Sequence, residues 1–410
     1  MRLLAAFCAA SLTSLIHAFP NAPFKTSTQW VHDSTGANFT YVGVNWPGHG
    51  EVMIPEGLQY RSIKSIVSMI KELKMNAVRL TFAIEMIDDI RDNGGDVTVQ
   101  QAFIKALGNT NGTRVWNEVT KNNPQITTST TRLQVFDAVA AELANQQIYV
   151  HLDNHMSKGK WCCSGNDGNT WFGDTDFNVA KWERGLVHMA EHIIQSKTWP
   201  NMVSLGLRNE LRRPDQAGNT LPYTWSVWYD NMIKAANSVN AANPEILIFL
   251  SGLNFDTTLQ PIPSSDDLGD GKKFVLKNFK YSDKLVLELH NYQNSATNCG
   301  DIEGGLWNNG FRATWPTAVN RMPVLLTEFG FSQADNSYSG VYSTCLKKLM
   351  PQWQSGWMVW ALGGSYYIRS GIQDYEETWG LVNHDWSGWR SANSIRSLKE
   401  MVDNTLASVQ

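Results

Sequence analysis

The chain has 410 residues, which suits either two average domains or one barrel with insertions. Its formal net charge is −4 and no run of like charges stands out. These features exclude the strongly basic surface of a protein that binds nucleic acid or an anionic membrane. Tryptophan is frequent, with 17 residues, but indole rings stack on sugars as readily as they fill a protein core. Composition alone therefore favours a carbohydrate partner only slightly.

Residues 1–18 have the pattern of a secretory signal peptide. Arg2 gives a basic start, Leu3–Leu15 forms a short apolar core, and Ala18 is a small residue suited to cleavage. The apolar core is too short to span a bilayer, and no later run is both long and apolar enough to do so. We therefore expect a secreted, extracellular chain of residues 19–410 that folds as one domain and has no membrane partner.

The cysteines and the glycosylation sequons fit that compartment. Four cysteines remain after removal of the signal peptide, and secretion favours disulfides between them. Adjacent cysteines are poorly placed to bond each other, so Cys162 and Cys163 are each expected to pair with Cys299 or Cys345. Two Asn-x-Thr sequons also permit N-glycosylation, at Asn38 and Asn111.

Eight short apolar runs predict buried strands, and helical patterns follow most of them. The strands are predicted at Tyr41–Asn45, Ala77–Phe82, Ile148–His155, Val203–Glu210, Ile246–Gly252, Lys284–Tyr292, Pro323–Gly330 and Gly356–Leu362. Helices are predicted at Ser62–Lys74, Thr131–Gln147, Asp176–Ser196, Thr224–Ala242, Tyr338–Met350 and Asn393–Leu406. The connection Gln260–Tyr281 is polar and irregular, so at most a short helix is expected there. The alternation of strand and helix predicts an α/β protein with a single (β/α)8 barrel.

Four connections that follow strands are much longer than usual, and such loops would crowd the catalytic face of a barrel. They are Ile84–Ser129, Met156–Thr175, Gln293–Arg321 and Gly363–Arg390. The last of them is rich in tryptophan, which either binds sugar or packs a hairpin; both interpretations stay open. The tryptophans concerned are Trp379, Trp386 and Trp389.

Two of the predicted strands end in a glutamate. Leu205–Leu211 reads Leu-Gly-Leu-Arg-Asn-Glu-Leu, and Pro323–Gly330 places Glu328 in the position that matches Glu210. An ionisable residue is unusual at the carboxyl end of a buried strand. In barrel enzymes the catalytic residues lie at this end of the strands. Two carboxyl groups, one proton donor and one nucleophile, are what a retaining glycoside hydrolase needs.

Polar and aromatic residues mark the ends of the other strands. Arg79 lies inside the second strand and needs a carboxylate, for which Glu328 is the obvious candidate. Taken alone, such a pair is also compatible with a purely structural role. Glu210 would have to stay protonated at working pH, which requires burial and a nearby carboxylate. Together with Arg79, the residues predicted to bind substrate are Asn45, Trp46, His155, Asn209, His290, Tyr292 and Trp360.

This set resembles glycoside hydrolase family 5, the large cellulase-like family of retaining β-glycosidases. The resemblance implies that Glu210 is the acid/base and Glu328 the nucleophile, that the other strand-end residues surround them, and that no cofactor is needed. Three blocks, Asp153–Lys158, Trp161-Cys162-Cys163 and Leu207–Arg212, are similar to a cellulase-like subgroup found in plants and fungi. The motifs that carry the family resemblance are Val78-Arg79-Leu80, Leu152-Asp153-Asn154-His155, Asn209-Glu210, His290-Asn291-Tyr292, Thr327-Glu328-Phe329-Gly330 and Trp360.

Two departures from the family pattern bear on the substrate. Leu211 stands where many members have proline, and Asn154 stands where many cellulases have an aromatic residue. The family implies a β-linked glucan or a β-glucoside, but these changes put cellulose itself in doubt. Because the long loops would build walls, we expect a pocket or a cleft blocked at one end, which prefers short β-glycosides to cellulose.

Two other functions compete with this prediction. His151, Asp153 and His155 alternate along one strand and share a side, as the ligands of a metal-dependent barrel hydrolase would. That alternative leaves both glutamates unexplained. A non-catalytic sugar-binding barrel would have no need to keep both of them. No metal site is therefore predicted, and we expect a monomer whose partner is a carbohydrate.

Overall fold

The computed structural model describes residues 19–409, so the predicted signal peptide lies outside the described residues. A small antiparallel sheet comes first, with β1 (Lys25–Ser27), β2 (Trp30–His32) and β3 (Asn38–Phe39) in that order. The rings of Phe24 and Phe39 lie 5.0 and 5.1 Å from the ring of Tyr149, which begins one of the barrel strands. The small sheet therefore covers the amino-terminal end of the barrel.

Eight parallel strands form a closed barrel. They are β4 (Val42–Trp46), β5 (Ala77–Ala83), β6 (Tyr149–Met156), β7 (Met202–Gly206), β8 (Leu247–Leu250), β9 (Leu285–Asn291), β10 (Val324–Phe329) and β11 (Trp357–Val359). Neighbours pair in chain order, and β11 pairs with β4 to close the ring. The strands match the eight predicted runs to within a few residues, which confirms the (β/α)8 barrel. The largest difference is at β7, which ends at Gly206 rather than at Glu210.

Helices form the outer layer of the described chain. The six predicted helices are confirmed, and side chains such as Ser62 and Thr131 cap their first turns by accepting backbone N–H groups. The helices are α1 (Ile63–Glu72), α2 (Ile84–Asp92), α3 (Val99–Leu107), α4 (Asn109–Asn122), α5 (Arg132–Asn145), α6 (Val179–Ser196), α7 (Trp225–Ala242), α8 (Cys299–Asn309), α9 (Val341–Gln352) and α10 (Ala392–Ser408). Within residues 19–409, none of them is long and apolar enough to cross a membrane.

The long connections hold more regular structure than their sequences suggest. Ile84–Ser129 contains α2, α3 and α4, and Gln293–Arg321 contains α8. The helices α2 and α3 have only nine residues each, shorter than the window over which a helical period is usually read, and glycines and asparagines occur within α4 and α8. Gly363–Arg390 forms an antiparallel hairpin of β12 (Ser365–Arg369) and β13 (Ile372–Glu376). Gln260–Tyr281 is irregular, as predicted, apart from one short 3-10 turn.

The expected disulfide pairing is wrong. Cys162 is bonded to its neighbour Cys163, and Cys299 is bonded to Cys345. Cys299 begins α8 and Cys345 lies in α9, and these adjacent helices hold the two Cα atoms 5.4 Å apart, a normal distance for a bridge. The helix α8 thus carries Cys299 to the outer layer of helices. No bridge joins the Met156–Thr175 connection to the Gln293–Arg321 connection.

Candidate active site

Glu210 and Glu328 face each other across a cavity of about 690 Å³ at the carboxyl ends of the strands. Glu328 lies in β10, and Glu210 lies just beyond β7. One carboxylate oxygen of each residue lies within 4.8 Å of the other. The backbone of Glu210 has a φ of 47°, in the left-handed region. For a residue other than glycine this conformation is uncommon, and it is found more often at functional sites than elsewhere.

A buried arginine holds the Glu328 carboxylate. Arg79 Nη1 donates to Glu328 Oε2 at 2.9 Å, and the Tyr292 hydroxyl donates to Glu328 Oε1 at 2.8 Å. Arg79 is fully buried and also donates to Asn209 Oδ1 at 2.7 Å. Burial raises the pKa of Glu328, while the Arg79 charge and the Tyr292 hydrogen bond oppose that rise. Both contacts favour the ionised form of this carboxyl group.

Glu210 lies in a different environment. Its Oε1 is 3.0 Å from His290 Nδ1, and its backbone N–H donates to Asp256 Oδ2 at 2.6 Å. Burial raises the pKa of Glu210 to about 7, and burial lowers the pKa of His290 to about 4. At neutral pH the histidine is therefore uncharged, and Glu210 keeps its proton in a large part of the molecules. The two carboxyl groups therefore lie in different electrostatic environments.

A second chain of contacts leads from Arg79 to the rim of the cavity. Asp153 Oδ1 forms an ion pair with Arg79 at 2.9 Å, and Asp153 Oδ2 contacts His155 Nδ1 at 2.7 Å. The His155 ring stacks on Trp360, with centroids 5.5 Å apart and planes inclined by 18°. Asp153 thus orients both a cation under the site and a ring that lines it.

The metal-binding alternative is not supported. His151 Nδ1 lies 2.9 Å from Ser204 Oγ, and burial lowers the pKa of His151 to about 3. Asp153 is occupied by Arg79 and His155. Among the residues that the structure describes, the clusters that could hold a metal ion do not include this triad. His151 is a buried histidine with a hydroxyl partner.

The predicted binding residues fall into three groups. His155, Tyr292 and Trp360 line the cavity beside the two glutamates. Arg79, Asn209 and His290 lie immediately behind them: Arg79 contacts Glu328, His290 contacts Glu210, and Asn209 accepts a hydrogen bond from Arg79. The third group, Asn45 and Trp46, does not reach the cavity.

The predictions for Asn45 and Trp46 therefore need correction. Asn45 is fully buried, and its Oδ1 accepts a hydrogen bond from Arg79 at 2.9 Å. Its Nδ2 donates to the Thr327 carbonyl at 3.1 Å, so Asn45 supports Arg79 rather than the ligand. Trp46 is also fully buried, and its indole N–H donates to the Glu56 carbonyl at 3.0 Å. Since β4 ends at Trp46 beneath a folded loop, its ring joins the core.

Several residues of the site cannot be recognised from strand ends, because they lie in the long connections. The cavity is lined by Trp161, by the bonded pair Cys162–Cys163, and by Phe255. Behind it, burial raises the pKa of Asp256 well above its ordinary value and raises that of Glu288 to about 7. Glu288 sits alone among apolar residues in the middle of β9, a signal that the sequence does offer. For Asp256 no such signal exists.

The tryptophans of the last long connection have different positions. Trp379 lines the cavity, with its ring 5.6 Å from that of Tyr292. Trp386 is fully buried. Trp389 lies on the outside, where its indole N–H donates to Glu72 at 3.3 Å. Of the three, Trp379 is the one that can meet a ligand in the cavity.

Comparison with known proteins identifies the family. Residues 32–365 match the family model described as cellulase, glycosyl hydrolase family 5. A glycosyl hydrolase 5 family protein from Chamaecyparis obtusa is 33% identical over 414 residues, which cover 98% of this chain and 69% of that protein.

Solved structures share the fold. A cellotetraose complex of an endocellulase from Pyrococcus horikoshii has a TM-score of 0.70 at 15% identity, covering 94% of this chain and all of that one. The catalytic domain of the major endoglucanase from Xanthomonas campestris has a TM-score of 0.63 at 20% identity, covering 92% and 99%. These values show a common barrel. Together with the family match, they establish that the chain is a glycoside hydrolase and belongs to glycosyl hydrolase family 5.

Proposed function

We propose that the protein is a secreted, retaining β-glycosidase that hydrolyses β-glucosidic bonds by double displacement. The observation that carries this proposal is the separation of the Glu210 and Glu328 carboxylate oxygens, within 4.8 Å. Retaining glycosidases hold their two carboxyl groups about 5–5.5 Å apart, whereas inverting enzymes need roughly 6.5–9.5 Å to admit a water molecule. The short distance supports retention.

In the first step, a Glu328 oxygen attacks C1 of the sugar while the bond from C1 to the leaving oxygen breaks. Glu210 gives its proton to that oxygen, as its pKa of about 7 allows near neutral pH. In the second step a water molecule attacks C1, its proton returns to Glu210, and the bond from C1 to Glu328 breaks. The sugar leaves with its original anomeric configuration.

The neighbouring residues assist both steps. The Oδ1 of Asn209 is held by Arg79, and its Nδ2 lies beside the Cys162 and Cys163 sulfurs at the edge of the cavity. This amide is the group that we propose donates to the sugar 2-hydroxyl, a contact that strengthens in the oxocarbenium-like transition state. The indole of Trp360 offers a flat surface for the ring in the cleavage subsite.

The proposed substrate is a β-linked glucan, a gluco-oligosaccharide or a β-glucoside. The family model is that of a cellulase, and the similar structures include an endocellulase with bound cellotetraose, which supports a β-glucose polymer or its fragments. The two disulfides and the exposed positions of Asn38 and Asn111 support a secreted glycoprotein, and we propose that it acts as a monomer. Amino-terminal sequencing of the mature protein should find Phe19 first if the signal peptide is removed as proposed.

The two roles can be separated by substitution. Glu328→Gln should abolish turnover of every substrate, because no covalent intermediate can form. Glu210→Gln should abolish hydrolysis of unactivated oligosaccharides and spare formation of the intermediate from aryl glycosides whose leaving group needs no proton. Burst kinetics with a nitrophenyl glycoside and proton NMR of the released anomer are the measurements. Equal inactivity of Glu210→Gln on both kinds of substrate would contradict the assignment, and an inverted product would contradict retention.

A further inference from the structure

One side of the catalytic cavity is closed by contacts between two connections. Arg369, at the end of β12, places its guanidinium 3.5 Å from the ring centroid of Trp161, which follows β6. The ring of Tyr366 lies 5.0 Å from the same indole, and Trp360 on the cavity floor lies 6.2 Å from it. Trp360 forms the floor of the cavity here, and the hairpin of β12 and β13 forms its wall. Both lie against Trp161, above the ends of the intervening strands β4 and β5.

The hairpin that forms this wall is anchored from behind. Tyr367 in β12 donates its hydroxyl to the Pro55 carbonyl at 3.0 Å and accepts from the Leu58 backbone at 3.2 Å. Gln373 in β13 donates to the Leu107 carbonyl at 3.0 Å and accepts from Asn111 at 2.7 Å. The helices inserted after β5 thus support the hairpin, so the wall is a fixed part of the fold.

The wall presents a charged pair to the cavity. Arg369 Nη1 lies 3.2 Å from Glu377 Oε2, and Glu377 Oε1 accepts the Trp379 backbone N–H at 2.9 Å. The Glu377 side chain is only 5% exposed, yet both Arg369 and Glu377 line the cavity. A buried ion pair contributes little net stability, and it offers donors and acceptors at fixed positions. Such a pair suits the vicinal hydroxyls of a sugar.

The opposite side of the cavity continues into a groove. A space of about 470 Å³ adjoins the cavity through Thr257 and Tyr292, which line both. It lies beyond β8 and β9, and several amide and hydroxyl side chains line it beside apolar surface. The groove is lined by Asn254, Thr257, Thr258, Gln260, Asn291, Tyr292, Gln293, Gly305, Leu306 and Asn309.

The positions of the catalytic groups orient a substrate between these two ends. Trp360 follows β11, and β11 lies across the barrel from β7, where Glu210 stands. A sugar ring that rests on Trp360 with C1 between the carboxyl groups directs its leaving group past Glu210. That direction leads to Phe255, which follows β8, and to the groove. The closed end therefore receives the glycone, and the groove receives the leaving group.

We propose that the enzyme acts from the non-reducing end of its substrate, and that Arg369 and Glu377 bind the hydroxyls of the terminal sugar. This inference rests on the proposed function and adds to it the direction of attack. Because amides and hydroxyls line the leaving-group side, that side can hydrogen-bond a further stretch of sugar chain. A site built to hydrogen-bond a hydroxyl strongly rejects an analogue in which that group is missing or blocked.

The test uses β-1,4- and β-1,3-linked gluco-oligosaccharides labelled at the reducing end, with and without a methyl group on the O4 atom of the non-reducing terminal sugar. We expect the wild-type enzyme to release an unlabelled product of a single length and to shorten the labelled chain in equal steps. The methyl cap should lower kcat/KM roughly 10- to 100-fold, the equivalent of losing a hydrogen bond to a charged group.

Substitutions then test whether Arg369 and Glu377 bind the terminal sugar. Arg369→Ala and Glu377→Gln should reduce the difference between capped and uncapped substrates to less than about 3-fold, chiefly by raising KM for the uncapped ones. Ile372→Ala is the matched control, because Ile372 lies in the same hairpin with its side chain exposed, and it should behave as the wild type. The wild-type comparison of capped and uncapped substrates stands even if a wall variant fails to fold.

The possible results test action from the chain end separately from the proposed retaining β-glycosidase activity. Labelled products of many lengths from the first minutes, together with equal rates on capped and uncapped chains, would overturn chain-end action and leave a retaining glycosidase. An enzyme that hydrolyses none of these substrates, nor aryl β-glucosides, would contradict the proposed function and this inference with it.

Discussion

Replacing the proposed acid by its neutral analogue should stabilise the protein at alkaline pH. Burial raises the pKa of Glu210 to about 7 in the folded protein, whereas an unfolded chain has the ordinary glutamate value. Below the ordinary value the side chain is protonated in both states and does not affect folding. As the pH rises toward 7, the unfolded state ionises first, so the free energy of unfolding falls. The glutamine side chain of the Glu210→Gln variant does not ionise, so this position causes no such fall in the variant's free energy of unfolding.

The size of the effect follows from the shift. The pKa moves from 4.5 to about 7, and each unit corresponds to about 1.4 kcal/mol, so the penalty above pH 7 is about 3 kcal/mol. Glu210 is only 8% exposed, which keeps solvent screening small. Relative to the wild type, Glu210→Gln should therefore gain about 3 kcal/mol of stability between pH 4.5 and pH 8. The Glu210 charge also helps to raise the pKa of Glu328 and of Asp256, so its removal acts on these two acids in the same direction.

Urea unfolding of both proteins at pH 4.5 and pH 8 measures this gain. Glu118→Gln is the control, since the Glu118 side chain is 46% exposed on α4, and its effect should be the same at both pH values to within about 0.5 kcal/mol. If Glu210→Gln differed from the wild type by the same amount at both pH values, the acid would not be held neutral by burial. A variant that became less stable at pH 8 would reverse the sign and refute the reasoning.

Two further predictions concern activity and the second disulfide. The value of kcat/KM on an unactivated oligosaccharide should fall above about pH 7, because Glu210 loses its proton there. If kcat/KM began to fall near pH 5 instead, Glu210 would not be the acid. Replacing Cys299 and Cys345 by serine opens a loop of sequence separation 46 and should cost about 4 kcal/mol, or about 5 °C in Tm. An unchanged Tm in differential scanning calorimetry would show that the bridge adds nothing.

The barrel and the proximity of Glu210 to Glu328 are predictable because both follow from local patterns. Each strand is a short apolar run, and the ends of parallel strands meet on one face. The sequence alone therefore predicts that Glu210 and Glu328 lie close together. The same logic fails for Trp46, because a strand end does not reveal which residue turns toward the cavity and which packs under a loop. Whether a side chain near a strand end is exposed depends on the path of the connection that follows. The apolar pattern that predicts the strand does not predict that path.

Long connections account for the remaining differences. Cys299 pairs with Cys345 because α8 packs on α9, and a sequence without a clear helical period at α8 gives no reason to expect this. The wall residue Arg369 contacts Trp161 from a connection more than 200 residues away in the chain, and Glu377 pairs with Arg369. Contacts of that kind depend on tertiary packing. The sequence therefore predicts the fold and the meeting of the two glutamates, but not the shape of the cavity around them.

The small sheet at the amino-terminal end of the barrel matters for anyone who produces this enzyme in shortened form. Its strands, with Phe24 and Val31, form a separate apolar cluster with the bottom ends of the barrel strands, including Tyr41 and Phe249. A chain cut just before Tyr41 would keep every catalytic group and every barrel strand, yet it would expose these aromatic rings to water. Such a patch invites association between molecules, so a gene trimmed to the visible barrel would yield aggregated material. The useful starting point lies ahead of Phe24, far in space from the chemistry.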